Sequence, residues 1–163
     1  MEKVEIFEKI TASLREQSFN IIRQDHTRPW GGFFVINEAQ TAQFATTYFP
    51  SVNISDIQIT QKLSPKILIV APDKRLSWQY HHRRAEIWRV IEGPVGVAKS
   101  DTDEQFDTQI YNAGQVITLK QGERHRLIGL NSWGILAEIW QHTDSQNPSD
   151  EDDIVRVQDD FGR

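Results

Sequence analysis

The stretch that decides the fold is Gln79-Tyr80-His81-His82-Arg83-Arg84-Ala85-Glu86, together with Gly122-Glu123-Arg124-His125 further along the chain. Alternate side chains of a strand share a face, so Gln79 and His81 can point into one cavity. The carboxylate follows after a short turn, and the last histidine comes from a more distant hairpin. An amide oxygen, two imidazoles and a carboxylate suit a divalent cation. We therefore predict a metal site formed by Gln79, His81, Glu86 and His125.

Each of these residues also has a plainer interpretation. A lone histidine in a strand is more often a satisfied polar residue than a ligand, which is how we interpret His26 and His142. His82 alternates away from the cavity face and is a neighbour of the site. Glu86 could instead form an ion pair with a nearby arginine. Gln79 is a weak, neutral ligand that could lie beside the metal without touching it.

The composition indicates one globular domain and excludes several classes of protein. The chain has 163 residues, of which 38% are hydrophobic and 25% charged, and its net charge is −5. These values argue against disorder and against a broadly basic nucleic-acid surface. The chain has no cysteine, which excludes disulfides and thiolate metal sites. We find no signal peptide and no membrane span, and therefore expect a cytoplasmic protein with no membrane partner.

The N-terminal part of the chain predicts helices. Apolar residues recur at helical spacing over residues 4–17, at Val4, Phe7, Ile10 and Leu14. A second helix is expected from a cap at Asn37 to about Tyr48, because Pro50 stops it. We therefore expect residues 1–50 to form a helical extension that packs on a barrel formed by residues 51–163, within a single domain.

From residue 54 onward the pattern changes to short runs of β-branched and aromatic residues separated by turn residues. Antiparallel strands at such spacing are typical of a β-sandwich or barrel. The acidic segment 144–153 is predicted to be a loop, followed by a last short strand over 154–157. The other predicted strands are residues 54–60, 66–70, 86–91, 115–119, 124–128 and 132–140.

The two histidine-containing stretches resemble the motifs of the cupins. The first cupin motif, G-x5-H-x-H-x4-E-x6-G, is similar to Gln79-x-His81-x4-Glu86-x6-Gly93. The second, G-x5-P-x-G-x2-H-x3-N, is similar to Gly114-x5-Lys120-x-Gly122-x2-His125-x3-Gly129. The resemblance implies an all-β fold, the cupin double-stranded β-helix or jelly-roll barrel, with N-terminal helical additions. The departures from the motifs are Asp73, Gln79, Lys120 and Gly129.

The combination of Gln, His, Glu and His is similar to the ligand set of phosphomannose isomerases, cupin enzymes that interconvert mannose 6-phosphate and fructose 6-phosphate. The chain resembles their type II form, which is usually the C-terminal domain of a mannose-1-phosphate guanylyltransferase fusion. The chain departs from this family at Arg83, Ile87 and Phe161, and no transferase domain is expected. The similar pieces are residues 28–31, 76–81, 84–88, 125–127, 151–156 and 160–163.

This resemblance implies an aldose–ketose isomerase that acts on a sugar phosphate, forms a homodimer and holds one divalent metal ion. The resemblance favours zinc, with manganese, nickel or iron as alternatives, because the ligand mixture does not select one. The alternatives are a non-catalytic cupin that binds a sugar or sugar phosphate, an iron-dependent dioxygenase, and a metal-free structural protein. The candidate catalytic residues are Arg84, Arg156 and Asp153, and the candidate substrate-binding residues are Lys66, Glu138 and Arg163.

Overall fold

The computed structural model describes residues 1–60 and 62–163. Three α-helices and eleven strands occur in these residues, with a 3₁₀ turn at Glu38–Gln40. The helices are α1 (Lys3–Glu16), α2 (Thr41–Tyr48) and α3 (Ile54–Ile57). The strands are β1 (Ile21–Asp25), β2 (Gly31–Ile36), β3 (Lys66–Val70), β4 (Trp78–Tyr80), β5 (Arg84–Glu92), β6 (Val95–Ser100), β7 (Gln109–Tyr111), β8 (Val116–Leu119), β9 (Arg124–Gly129), β10 (Gly134–His142) and β11 (Val155–Gln158).

The strands form two antiparallel sheets. The first sheet has six strands in the order β1-β2-β3-β10-β5-β8, and the second has five in the order β11-β4-β9-β6-β7. The chain passes from the second sheet to the first in the short turn between β4 and β5. Residues on the two sides of this turn therefore come from different sheets, which is how they can surround a shared cavity.

Two hydrophobic cores hold the layers together. The inner core lies between the sheets and includes Leu68 and Trp88 from the first sheet and Leu127 from the second. The outer core packs Phe7 of α1 and Phe44 of α2 against the other face of the first sheet. The first sheet is thus covered on both faces, and for this reason its central strand β3 is buried along its whole length, without the alternation of a one-sided sheet. None of the helices in the described residues combines the length and apolar character that a bilayer crossing requires.

The N-terminal helices lie where the sequence predicts them, with two differences. In α1 the buried face includes Ile6, which is 2% exposed, whereas Val4 is 67% exposed. Asn37 caps the 3₁₀ turn, because its side chain accepts a hydrogen bond from the backbone N–H of Ala39, and α2 follows. Residues 21–36 form β1 and β2 of the first sheet, so the N-terminal part is more than the helical extension that we expected.

The strand predictions from residue 66 onward are confirmed except at their ends, but the predicted strand over 54–60 is wrong. Its first four residues form α3, because Asn53 caps a helical turn by accepting a hydrogen bond from the backbone N–H of Ser55 (3.2 Å). Local capping therefore outweighs the β-branched composition. The strands β1, β2, β6 and β7 were not predicted.

Candidate metal centre and its cavity

Three of the four predicted ligands meet at one buried point. His81 directly follows β4, Glu86 lies in β5 and His125 in β9, and each is at most 2% exposed. The distance from Glu86 Oε1 is 2.8 Å to His81 Nε2 and 3.8 Å to His125 Nε2. The three ligand atoms lie within 4.8 Å of one another, so both sheets contribute to one potential cation site.

Backbone carbonyls fix which nitrogen of each imidazole faces the site. His81 Nδ1 lies 2.7 Å from the carbonyl oxygen of Asp153, and His125 Nδ1 lies 3.0 Å from that of Glu123. A carbonyl only accepts hydrogen bonds, so each Nδ1 carries a proton, and Nε2 is the nitrogen of each ring that faces Glu86. His125 Nε2 is buried without a hydrogen-bond partner among the described residues. A buried, unpaired nitrogen of this kind fits a metal ligand.

The charge states of these groups also suit a cation. Burial lowers the pKa of His125 to about 4, so its imidazole is neutral near pH 7. Burial alone would raise the pKa of Glu86, but the neighbouring His81 and Arg84 outweigh it and hold this pKa well below its usual value. An ionised carboxylate between imidazole nitrogens is the donor set that divalent transition metals accept.

The fourth predicted ligand, Gln79, lies beside the other three. It sits in β4 directly opposite His125 in β9, and it lines the same cavity. Its Oε1 accepts a hydrogen bond of 2.6 Å from the hydroxyl of Ser77, which fixes the orientation of the amide. The structure thus places an oriented amide oxygen next to the triad, and its role as a ligand stays a prediction.

Glu86 of the triad lines a cavity of about 450 Å³ between the two sheets and the C-terminal segment. Five of the other predicted site residues line it, and the sixth, Asp153, does not. The five are Lys66, Arg84, Glu138, Arg156 and Arg163. The cavity also contains charged residues that sequence reasoning did not select, namely Arg28, Glu151 and Asp152.

Arg84 is held in the wall of the cavity by several contacts. Its Nε donates to Glu86 Oε1 (3.1 Å), its Nη1 donates to the hydroxyl of Ser149 (2.9 Å), and its guanidinium lies 3.6 Å from the ring centroid of Trp140. Arginine keeps its proton in proteins, so this side chain supplies a fixed positive charge and no base. The ion pair with Glu86 that the plainer interpretation suggested is present, beside the histidine contacts.

Asp153 has a different environment from the one that we expected of an acid/base residue. Its carboxylate accepts hydrogen bonds from the backbone N–H groups of His82 and Arg83 (both 2.9 Å) and from the hydroxyl of Ser149 (2.6 Å). Burial favours a higher pKa, but these hydrogen bonds outweigh it and lower the pKa of Asp153 to about 2. The carboxylate thus holds the turn between β4 and β5, a structural role.

Glu138 is a buried carboxyl group that faces the cavity from β10. Its Oε2 accepts from Trp88 Nε1 and its Oε1 from Trp140 Nε1, both at 2.8 Å. Burial and the neighbouring Glu86 carboxylate raise the pKa of Glu138 well above its usual value. The surroundings of Glu138 thus favour its protonated form, beside the candidate cation site.

Lys66 lies opposite Glu138 on β3 and is almost completely buried. Its ammonium group lies 4.8 Å from the ring centroid of Phe33 and 5.0 Å from that of Trp140, and it forms an ion pair with Glu151. Lys66 and Glu151 also line a second cavity of about 430 Å³ on their other side. This ion pair therefore separates two neighbouring cavities.

Three arginines lie close together along the cavity. Arg156 is opposite Gln79 on β11, and its pKa is lowered by burial and by the positive charges of Arg163 and Arg28. Arg28 belongs to one of the pieces that resemble the isomerase family, but it was not predicted as a site residue. It lies between β1 and β2 and lines the cavity, to which the pairing of β2 with β3 brings it. The grouping favours an anionic ligand.

The sequence also matches a family model described as mannose-6-phosphate isomerase C-terminal, over residues 37–159. The chain belongs to this family. The matched range contains all four predicted ligands, together with Lys66, Glu138 and Arg156. The resemblance inferred from the two cupin motifs is therefore confirmed, although the specific activity of this chain does not follow from the match.

Relatives of the chain occur in polysaccharide biosynthesis. The xanthan biosynthesis protein XanB of Xanthomonas campestris pv. campestris (strain B100) is 32% identical over 116 residues, which are 71% of this chain and 23% of that protein. The alginate biosynthesis protein AlgA of Pseudomonas aeruginosa is 30% identical over 125 residues, or 77% of this chain and 24% of that protein. The chain thus spans about a quarter of the length of these relatives.

Solved structures with a similar fold support the predicted architecture. The capsular polysaccharide assembling protein CapF from Staphylococcus aureus superposes with a TM-score of 0.54 at 13% identity, covering 83% of this chain and 34% of CapF. A recombinant oxalate oxidase in complex with glycolate gives a TM-score of 0.55 at 19% identity, covering 82% of this chain and 58% of that one. At these identities the likeness concerns the fold alone, and it confirms the cupin jelly roll.

Proposed function

We propose that this protein is a metal-dependent sugar-phosphate isomerase that interconverts mannose 6-phosphate and fructose 6-phosphate, with zinc as its metal. The observation that carries the proposal is the buried triad of His81, Glu86 and His125 at a cavity that also holds several arginines. Membership of the isomerase family supports the choice of reaction. A cation site and an anion site in one cavity match the two ends of a sugar phosphate.

The cation would be held by His81, Glu86 and His125, with Gln79 beside them. When bound, a divalent ion polarises adjacent carbonyl and hydroxyl oxygens and so stabilises the negative charge of an enediolate. Arg84 adds a fixed positive charge next to Glu86 and keeps the carboxylate ionised. Glu86 is thereby committed to the cation and does not move protons.

The isomerisation also needs a group that transfers a proton between adjacent carbons, and Glu138 is our candidate. It is buried in the cavity, and burial and the Glu86 carboxylate raise its pKa well above the usual value, which is the direction in which enzymes tune a carboxyl group for proton transfer. Its two indole contacts, from Trp88 and Trp140, hold the carboxyl group in a fixed orientation. Glu138, which the sequence suggested as a substrate-binding residue, is thus proposed as the acid/base group in place of Asp153.

The phosphate would be bound at the arginine group. Within the described residues, the guanidinium of Arg156 has no hydrogen-bond or ion-pair partner, so its donors are available to a ligand. Arg163 and Arg28 lie nearby, each with an aspartate partner. One guanidinium group can donate two parallel hydrogen bonds to a phosphate. Two or three such groups around one phosphate therefore increase the affinity for the ligand and fix its orientation.

The test is direct. Purified protein loaded with zinc, manganese, nickel or iron is incubated with mannose 6-phosphate, and fructose 6-phosphate is measured. We expect turnover that is lost in His125→Ala. The absence of turnover with all four metals would remove this reaction. Saturable binding of mannose 6-phosphate without turnover would instead favour a non-catalytic sugar-phosphate-binding cupin.

A further inference from the structure

The strand that carries Arg156 has little support from the sheet itself. β11 is an edge strand of the second sheet, and its only neighbour within residues 1–60 and 62–163 is β4, which has three residues. The register shifts between Arg156 and Gln158, so the pairing is also irregular. Two such short strands are marginally stable by themselves. Other contacts must therefore fix the segment that presents Arg156 and Arg163 to the cavity.

The first of these contacts is an ion pair on the side away from the cavity. Arg75 Nε lies 2.6 Å from Asp160 Oδ2, and Arg75 Nη2 lies 2.9 Å from Asp160 Oδ1. This two-point geometry is the strong and directional form of an arginine–carboxylate contact. Neither residue lines the cavity, and both side chains are about one-third exposed, at 36% and 37%.

The second contact is made by a completely buried arginine. Arg126 donates from Nε to the carbonyl oxygen of Leu76 (2.8 Å), from Nη2 to the carbonyl oxygen of Gln158 and from Nη1 to Gln158 Oε1 (both 3.2 Å). One guanidinium thus joins the segment before β4 to the last residue of β11. Because Arg126 is 0% exposed, these contacts are protected from water.

The third contact orients the last arginine. Asp159 accepts hydrogen bonds from the backbone N–H and the Nε of Arg163, at 3.0 and 2.8 Å. Gly162 has a φ of +70°, in the left-handed region that favours glycine, and this turn brings Arg163 back over Asp159. The side chain of Arg163 is thus set by its own backbone turn, once Asp160, the residue that follows Asp159, is fixed.

We propose that Arg75, Arg126 and Asp160 form a clasp that positions β11 and the turn after it, so that Arg156 and Arg163 can bind the phosphate of the ligand. These three are positioning residues, since none of them touches the cavity. The proposal rests on the proposed function in that the ligand is a sugar phosphate. It assigns the phosphate affinity of the site to contacts on the opposite side of the C-terminal segment.

The experiment uses the exposed pair, because Arg126 variants are the ones most at risk of misfolding. Arg75→Ala and Asp160→Ala are compared with the double exchange Arg75→Asp/Asp160→Arg. The matched control is Lys9→Ala, which removes one positive charge from the exposed ion pair between Lys9 and Glu92, 2.7 Å apart, elsewhere on the surface. Calorimetry measures the binding of mannose 6-phosphate, mannose and inorganic phosphate to the zinc-loaded proteins.

We expect each single variant to bind mannose 6-phosphate and inorganic phosphate roughly 10 to 100 times more weakly, as small displacements of positioned groups do. Mannose binding should stay unchanged, the double exchange should restore much of the affinity, and Lys9→Ala should behave as wild type. In activity assays the loss should appear in KM more than in kcat.

Two results would overturn the clasp. One is unchanged phosphate affinity in Arg75→Ala, and the other is an equal loss of mannose and mannose 6-phosphate binding, as a general loss of structure would give. A wild-type protein that binds neither mannose 6-phosphate nor inorganic phosphate would also contradict the clasp, because Arg156 and Arg163 would then not form a phosphate site. Phosphate binding that depends on Arg75 but comes without isomerisation would leave the clasp standing and remove the proposed reaction.

Discussion

At the scale of single residues, the decisive feature is the pair of imidazoles whose Nδ1 protons are held by backbone carbonyls. This arrangement turns His81 Nε2 and His125 Nε2 toward Glu86 before any ion arrives. A site that is already oriented loses little conformational entropy on binding, which favours affinity. The role of each residue can therefore be tested with the metal alone, separately from turnover.

We predict that His125→Ala lowers zinc affinity by at least about 10- to 100-fold, the range that even indirect supports of a metal site contribute. The substitution removes one of the three nitrogen and oxygen donors that converge in the buried site. Competition with a chromophoric chelator measures the affinity. The control is His82→Ala, because His82 is next to the ligand His81 in the sequence but has an exposed side chain. Unchanged zinc affinity in His125→Ala would contradict the assignment of His125 as a ligand.

We predict that Glu138→Gln folds normally but lowers kcat by about 10²- to 10⁴-fold, the usual contribution of an acid/base group. The amide oxygen can still accept from Trp140, and the amide NH₂ can donate toward Glu86. Trp88 Nε1 loses its contact with position 138 but keeps Glu86 Oε2 as an acceptor, at 3.0 Å. The kcat of the zinc-loaded variant and its circular dichroism spectrum are measured together. A folded variant with wild-type kcat would show that the proton carrier is another group.

At the scale of secondary-structure elements, the turn between β4 and β5 depends on Asp153. We predict that Asp153→Asn lowers the free energy of unfolding at pH 7 by about 1–3 kcal/mol, because an amide cannot replace all the accepted hydrogen bonds. Urea denaturation measures the loss. The control is Ser145→Ala, because Ser145 is exposed and lies, like Asp153, in the loop between β10 and β11.

The pH dependence of the same substitution follows from the sign of the shift. Folding lowers the pKa of Asp153 from an ordinary 3.8 to about 2, so the carboxylate stabilises the fold above about pH 3.8. That contribution is lost as the pH falls from 3.8 toward 2. The wild type should therefore lose more stability than Asp153→Asn over this interval, and equal losses in the two proteins would argue against the shift.

Elements also show how far sequence reasoning reaches. α1 was predictable because its apolar residues recur at helical spacing and form one buried face. The later strands were predictable because they are short apolar runs between turn residues, such as β3, which is buried along its whole length. The convergence of His81, Glu86 and His125 was predictable because two motifs keep their spacing. β1 was missed because an exposed edge strand, Ile21–Asp25, has no apolar pattern of its own. Arg28 was missed as a site residue because only the pairing of β2 with β3 brings it to the cavity.

At the scale of the whole molecule, the candidate cation site lies between the two sheets, since Glu86 belongs to the first sheet and His125 to the second, and a bound ion would link them. We predict that free zinc at 100 times its Kd stabilises the fold by about 2.7 kcal/mol. For a protein of this size, that corresponds to a rise in Tm of roughly 5–10 °C. Differential scanning calorimetry with and without zinc measures it, and an equal rise in His125→Ala would point to binding elsewhere.

The homodimer expected from the cupin resemblance stays a prediction. β1 lies at one end of the six-stranded sheet, so it offers a sheet edge that a second copy could extend. We expect light scattering on a size-exclusion column to give twice the 18.9 kDa mass of one chain. A mass that stays at one chain throughout a concentration series would contradict this expectation.

The ion pair between Lys66 and Glu151 has a consequence for the range of ligands that the protein can accommodate. The side chain of Lys66 is 7% exposed and fixed between aromatic rings, whereas that of Glu151 is 50% exposed on a surface loop. Replacing Glu151 with a shorter side chain would therefore connect the two cavities, of about 450 and 430 Å³, while the packing of Lys66 against the aromatic rings stays intact. An engineer who wants to admit longer saccharides would begin at this one solvent-accessible carboxylate.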